Sequence, residues 1–271
     1  MGHLTTSEIR SVLQAATAAA DAARPVTLKW FRNLDLVADN KAERGFDPVT
    51  RADRESEQAL REVLSRLRPQ DAILGEEQAD RPGTSGLSWV LDPIDGTRGF
   101  MSGTPTWGTL IALSDARGPL LGIIDQPYTD ERFLGGLGHA QLHHAGQSRP
   151  LAVRRGVSLS EAVLFSTFPE VGTDAERSAF DALKARVRLT RYGMDCYAYA
   201  LLAAGCIDLV AEAGLFAYDV QAPIAVVQAA GGVVTDWRGR PAHGGGRILA
   251  AATQPLHQQA LEILSQAPDD A

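Results

Sequence analysis

The chain has 271 residues, 45% of them apolar and 22% charged, enough to bury a sizeable core in one large domain or two coupled halves. Its 33 acidic residues against 26 basic ones leave a formal charge of −7, which argues against a sequence-independent grip on nucleic acid phosphates. No stretch approaches bilayer-spanning length and no basic, apolar and small-residue leader opens the chain, so a cytoplasmic protein with no membrane attachment is expected.

In chain order, Thr5 and Glu8 form a candidate capping box ahead of Ile9, Val12, Leu13 and Ala16 at helical spacing. Pro25 is expected to close that helix. A second helix runs from about 53 to 68, with Leu60, Val63, Leu64 and Leu67 as its core face and Pro69 as its stop. From 89 to about 153 short β-like runs, including 110–113 and 120–124, are broken by Gly, Pro and Asp clusters and predict a mainly antiparallel sheet. After 161, strand-like and helix-like segments alternate through 162–166, 175–185, 187–190, 195–204, 207–212, 223–230, 233–237, 248–252 and 255–265. That alternation favours an α/β half. The expected organisation is an N-terminal α+β half, 1–148, and a C-terminal α/β half, 149–271, acting as one cooperative unit. The polar stretch from His143 to Arg149 marks the boundary.

Cys196 and Cys206 are too few for a disulfide framework and read as reduced, mostly buried thiols flanking one helix. The six histidines show no metal-ligand spacing, and His139, His143, His144 and His243 are expected at the surface. Trp107 reads as packing.

The chemistry concentrates in Asp92-Pro93-Ile94-Asp95-Gly96-Thr97, directly after the apolar run Trp89-Val90-Leu91. Pro93 holds Asp92 extended at a strand end, and Gly96 permits a tight turn. Thr97 as N-cap would open a short segment whose free backbone N–H groups suit a phosphate oxygen. Alone, Asp92 and Asp95 describe a solvated turn. Asp47 and Asp53 before a helix, Glu76 after a strand and Asp219 at the start of a late helix shift the reading to a metal site, because hard divalent cations prefer clustered oxygens. Asp219 taken singly reads as an N-cap.

These blocks, together with Asp47-Pro48-Val49-Thr50-Arg51-Ala52-Asp53, Ile73-Leu74-Gly75-Glu76-Glu77 and Tyr218-Asp219-Val220 followed by Ala229-Ala230-Gly231-Gly232, resemble the inositol monophosphatase superfamily of magnesium-dependent, lithium-sensitive phosphatases. The resemblance implies a layered αβαβα sandwich and a homodimer. It implies that Glu76, Asp92 and the Ile94 carbonyl hold a first Mg²⁺, and that Asp92, Asp95 and Asp219 hold a second. A third ion near Glu76 is held largely through water. By the same resemblance Thr97 and Asp53 orient and activate the attacking water, Glu76 serves catalysis, and the Gly96 and Thr97 amides grip the phosphate. Asp47 either touches a metal-bound water or turns the chain with Pro48, and Glu77 lies outside the inner sphere.

The central motif continues Arg98-Gly99-Phe100, then Ser102 to Leu110, which is similar to the histidinol-phosphate phosphatase branch; Arg191 to Tyr199 points the same way. The implied partner is a small phosphorylated metabolite, L-histidinol phosphate of histidine biosynthesis, with Asp195 and Glu212 binding its cationic end and Arg191 assisting. Asp195 also reads as an N-cap, and Arg98 and Arg191 as phosphate contacts or structural ion pairs. Met194 replaces a Gly common in relatives, so a positive φ there would cost energy. Pro223 departs from the family pattern and suggests a helix starting later than Val220. The alternatives are an inositol-1-phosphate or broad sugar and nucleotide phosphatase, and a non-catalytic interaction protein retaining the fold.

Overall fold

The computed structural model describes residues 4–40 and 48–268. Helix α1 (Thr6–Trp30) opens on the expected capping box, in which Thr5 and Glu8 each accept from the other's backbone N–H. It does not end at Pro25, which sits inside it. The buried face Val12, Ala15, Ala16, Ala19, Ala20 and Ala23 packs into the core and offsets the one helical bond that proline removes.

A short hairpin of β1 (Ala38–Asn40) and β2 (Pro48–Thr50) leads into α2 (Arg51–Leu67), which starts earlier than expected because Thr50 and Asp53 form a second capping box. Leu60, Val63 and Leu64 are buried, whereas Leu67 is 37% exposed and leaves the core face. Then come β3 (Ala72–Gly75), β4 (Ser88–Asp95), the five-residue helix α3 (Thr97–Met101), β5 (Gly108–Asp115), β6 (Gly118–Gln126), β7 (Glu131–Gly136), β8 (His139–His144) and β9 (Gln147–Pro150). The seven strands β3 to β9 form one sheet in sequence order. Only β3–β4 is parallel, so the mainly antiparallel sheet is present, with β3 added ahead of it. The stretch from His143 to Arg149 is where β8 turns into β9, and the dividing line expected at 148/149 falls within β9.

The second sheet is built from β10 (Val163–Ser166), β11 (Leu189–Tyr192), β12 (Leu209–Leu215), β13 (Val233–Thr235) and β14 (Gly246–Ala251) in the order β11-β10-β12-β14-β13. Its β11-β10-β12 side is parallel and its β12-β14-β13 side antiparallel. Between and around these strands run α4 (Asp174–Lys184), α5 (Asp195–Ala203), α6 (Ala217–Ala229) and α7 (Gln254–Leu264).

Side-chain alternation along the strands sorts the layers. Trp89, Leu91, Ile111, Leu113 and Ile123 face α1 and α2, while Val90, Leu110, Ala112 and Ile124 face the opposite way onto α5 and α6. Phe165, Val210 and Ala250 of the second sheet close that middle layer. Leu164, Leu209, Leu249 and Ala251 pack outward on α4 and α7. The result is the αβαβα sandwich.

Helix α6 starts at Ala217 rather than beyond Val220, with Pro223 buried inside it. It lies flush on β6 and β7: a Cβ at Gly122 would come 2.3 Å from Ala222 O, and one at Gly135 2.4 Å from Val226 Cα. Cys196 is buried as expected, but Cys206 is exposed. Among the described residues no helix is long and apolar enough to cross a membrane.

Candidate active site

Strand β4 carries both Asp92 and Asp95, which in regular pleating would point to opposite faces. The β4–β5 register shifts between them, pairing Asp92 with Leu110 and Asp95 with Gly108, and this bulge re-aims the second carboxylate. Gly96 follows at φ +83° and serves as N-cap of α3, so Thr97 is the first helical residue rather than the cap. Asp219 arrives from the first turn of α6, where its Oδ2 accepts from Phe216 N at 2.6 Å. Asp92, Asp95 and Asp219 each present a carboxylate oxygen within 4.8 Å of the others.

Such a grouping is costly on its own. Burial, together with Glu76, Asp95, Asp219 and Asp53, pushes the Asp92 carboxyl well above the ordinary range. Burial and the Asp195 and Asp219 carboxylates do the same for Asp95, and burial raises Asp219 to about 7. Carboxylate oxygens this close to one another, one buried and two half-buried, fit a hard divalent cation, which would neutralise their repulsion. Ile94 N donates to Asp92 Oδ1 at 3.0 Å and fixes that carboxylate from behind.

The remaining expected residues gather around this core. Asp53, fully buried, accepts from Thr50 N at 2.8 Å through Oδ2, and burial raises it to about 6. Thr97 Oγ1 lies 3.4 Å from Asp53 Oδ1 and 3.2 Å from the Ile94 carbonyl oxygen, linking α2 to the turn. Glu76 lines the same cleft directly after β3, and its backbone N–H donates to Leu91 O at 3.2 Å. Asp47 lies outside the described residues. Glu77 is half-buried.

The cleft has a volume of about 320 Å³ and extends from the acidic core to Asp195 and Glu212. Asp195 sits against the turn: a Cβ on Gly96 would fall 2.9 Å from its Cγ. It is not an N-cap; Met194 holds that position at an ordinary φ of −111°, and the left-handed backbone is at Asp195 itself, φ +44°. Burial and Glu212 raise Asp195 to about 7, opposed by Arg98. Glu212 is buried and accepts from Thr167 N at 3.0 Å and Tyr199 Oη at 2.7 Å. Arg98 lines the cleft with its guanidinium 4.8 Å from the Phe168 ring centroid. Arg191 is exposed on the edge strand β11 and does not line the cleft.

Several site features were invisible to pattern reading. Phe168 and Phe216 stand 43% and 61% exposed on the cleft rim, the latter stacked on Tyr218 at 5.3 Å. Glu57, one helical turn after Asp53, is fully buried and accepts from the backbone N–H groups of Glu77 and Gln78. Its sequence signal is helical spacing alone: four residues after Asp53 and three before Leu60, on the buried face of α2.

A profile of the inositol monophosphatase family matches residues 8–269. The chain is 37% identical to the chloroplastic bifunctional phosphatase IMPL2 of Arabidopsis thaliana, over 97% of this chain and 77% of that protein. It is 35% identical to a histidinol-phosphatase of Streptomyces coelicolor, over 94% of this chain and 97% of the relative. Among solved structures, an inositol monophosphatase from Zymomonas mobilis superposes with a TM-score of 0.82 at 38% identity, covering 97% of this chain and all of that one.

Proposed function

Because the chain belongs to the inositol monophosphatase family of phosphatases, we propose that it is a Mg²⁺-dependent phosphomonoesterase that hydrolyses L-histidinol phosphate to L-histidinol and phosphate. The observation that carries the reading is the convergence of Asp92, Asp95 and Asp219 from two distant elements. Magnesium ions held by Glu76, Asp92, Asp95, Asp219 and the Ile94 carbonyl would lower the pKa of the attacking water and neutralise charge on phosphoryl and leaving oxygens.

The chain's own groups divide the rest. The Thr97 hydroxyl, 3.4 Å from the Asp53 carboxylate, orients the nucleophilic water and relays its proton to Asp53. The Gly96 and Thr97 amides open α3 toward the phosphate. Asp195 and Glu212 present carboxylates to an ammonium and an imidazole, while Phe168 and Phe216 offer aromatic faces at the mouth. Glu212 already accepts from Thr167 and Tyr199, whereas Asp195 is held by Thr106 and faces Arg98.

A second reading, an inositol-1-phosphate phosphatase, draws support from the Zymomonas mobilis likeness. Phosphate release from histidinol phosphate, inositol 1-phosphate, fructose 1,6-bisphosphate and 3′-phosphoadenosine 5′-phosphate, each with and without Mg²⁺, tests both. Preference for inositol 1-phosphate would overturn the histidinol phosphate assignment, and turnover unaffected by metal removal would overturn the metal.

A further inference from the structure

We infer that Glu57 is a positioning residue for the metal site, holding the 76–79 loop so that Glu76 faces the acidic cluster; this rests on the reading of Glu76 as a metal ligand. The Glu57 side chain is fully buried, and every bond it makes at its two oxygens serves that loop or its clamp. Oε2 accepts from Glu77 N at 2.8 Å, and Oε1 accepts from Gln78 N at 3.1 Å and from Arg61 Nε at 2.7 Å. Arg61, one turn further along α2, donates in turn to Gln78 O at 3.0 Å and Ala79 O at 3.1 Å.

The loop after Glu76 is therefore gripped at its N–H groups by the carboxylate and at its carbonyls by the guanidinium. On the other side Glu76 N bonds Leu91 O of β4 at 3.2 Å. Glu76 is thus suspended between α2, which carries Asp53, and β4, which carries Asp92 and Asp95. A buried charge of this kind is tolerated only when fully bonded. Gly75 completes the fit, because a Cβ there would lie 2.2 Å from Glu57 Oε1 and 2.7 Å from Arg61 Nη2. Partners that orient metal ligands from behind typically change metal affinity about 10- to 100-fold when replaced.

Calorimetric titration of the metal-free protein with Mg²⁺, in the absence of substrate, tests the role. Glu57→Gln, which keeps the shape but loses an acceptor oxygen and the charge, is expected to weaken Mg²⁺ binding by ~10- to 100-fold. Its kcat at saturating Mg²⁺ should stay near that of the parent, and so should its melting cooperativity. Gly75→Ala, which displaces the carboxylate without altering a donor or acceptor, should weaken binding in the same direction and decides the matter if Glu57→Gln does not fold. Parent-like Mg²⁺ affinity in either folded variant overturns the inference. A parent protein that binds no Mg²⁺ overturns the metal reading itself, and this role with it.

Discussion

The backbone N–H of Cys196 donates to Asp95 Oδ2 at 2.6 Å. One carboxylate of the acidic cluster is thereby tied to the first turn of α5, next to Asp195, so the acidic cluster and Asp195 share one rigid connection.

Replacement of Asp195 by alanine should separate recognition from chemistry. Loss of this carboxylate is expected to raise KM for histidinol phosphate by roughly 10-fold, about 1.4 kcal/mol, while kcat falls less, because Asp95 keeps its bond from the Cys196 backbone. The same change should leave KM for inositol 1-phosphate less affected. Equal shifts for both substrates would remove Asp195 from discrimination.

The aromatic rim predicts a smaller effect of the same kind. Phe168→Ala and Phe216→Ala each remove an exposed ring from the cleft mouth, where a cation over a ring contributes about 0.5–1 kcal/mol. Each variant should raise KM for histidinol phosphate roughly two- to five-fold and leave the melting temperature within experimental scatter. An unchanged KM in both would assign these rings to something other than substrate.

Asp92→Asn should abolish metal-dependent turnover yet spare the fold, since an amide oxygen can still accept from Ile94 N. It also removes one charge from a mutually repelling group. In the absence of metal, and at a pH high enough to ionise Asp92 in the parent, the variant should therefore melt higher than the parent. Near-normal turnover, or a lower metal-free melting point, would contradict the arrangement.

Burial raises Asp53 to about 6 and Asp219 and Asp195 to about 7, above an unfolded carboxyl near ~4. Between these values the folded chain binds more protons than the unfolded one, so the contribution of these groups to stability falls as pH rises from about 4 to 7. Below ~4 that contribution is fully present; above 7 it is lost. Saturating Mg²⁺ displaces the protons and should reverse the trend. Melting curves at pH 5 and pH 8, with and without Mg²⁺, are expected to show metal stabilisation growing with pH, and a pH-independent increment would contradict it.

How far the fold could be read from sequence depended on whether local signals were overridden by packing. Helical spacing, a capping box and the alternation of segments located α1, α2, α4, α5, α7 and most strands. Pro25 and Pro223 misled because each proline's local cost is smaller than the burial that holds α1 and α6 in place. In the site, Asp92 and Asp95 announced themselves through the Pro and Gly that shape their turn. Glu76 and Asp219 drew attention as acids at the ends of separate elements, but each taken singly is a common cap, and only the family resemblance assigned them to particular ions. Glu57 with Arg61 has the spacing of an exposed helix ion pair, yet Glu57 also falls three and seven residues before Leu60 and Leu64, on the apolar face, where an acid is easily passed over. The register shift in β4 is equally silent in sequence, because it arises from pairing with β5.

Gly122 and Gly135 touch no reactant, yet they set the height at which α6 rides over the seven-stranded sheet. A single methyl group at either position would wedge the helix away and drag Asp219 from Asp92, prising the carboxylate triangle open from beneath the helix. Mutational tolerance in this chain should accordingly follow the backbone clearance beneath one helix as closely as proximity to the chemistry.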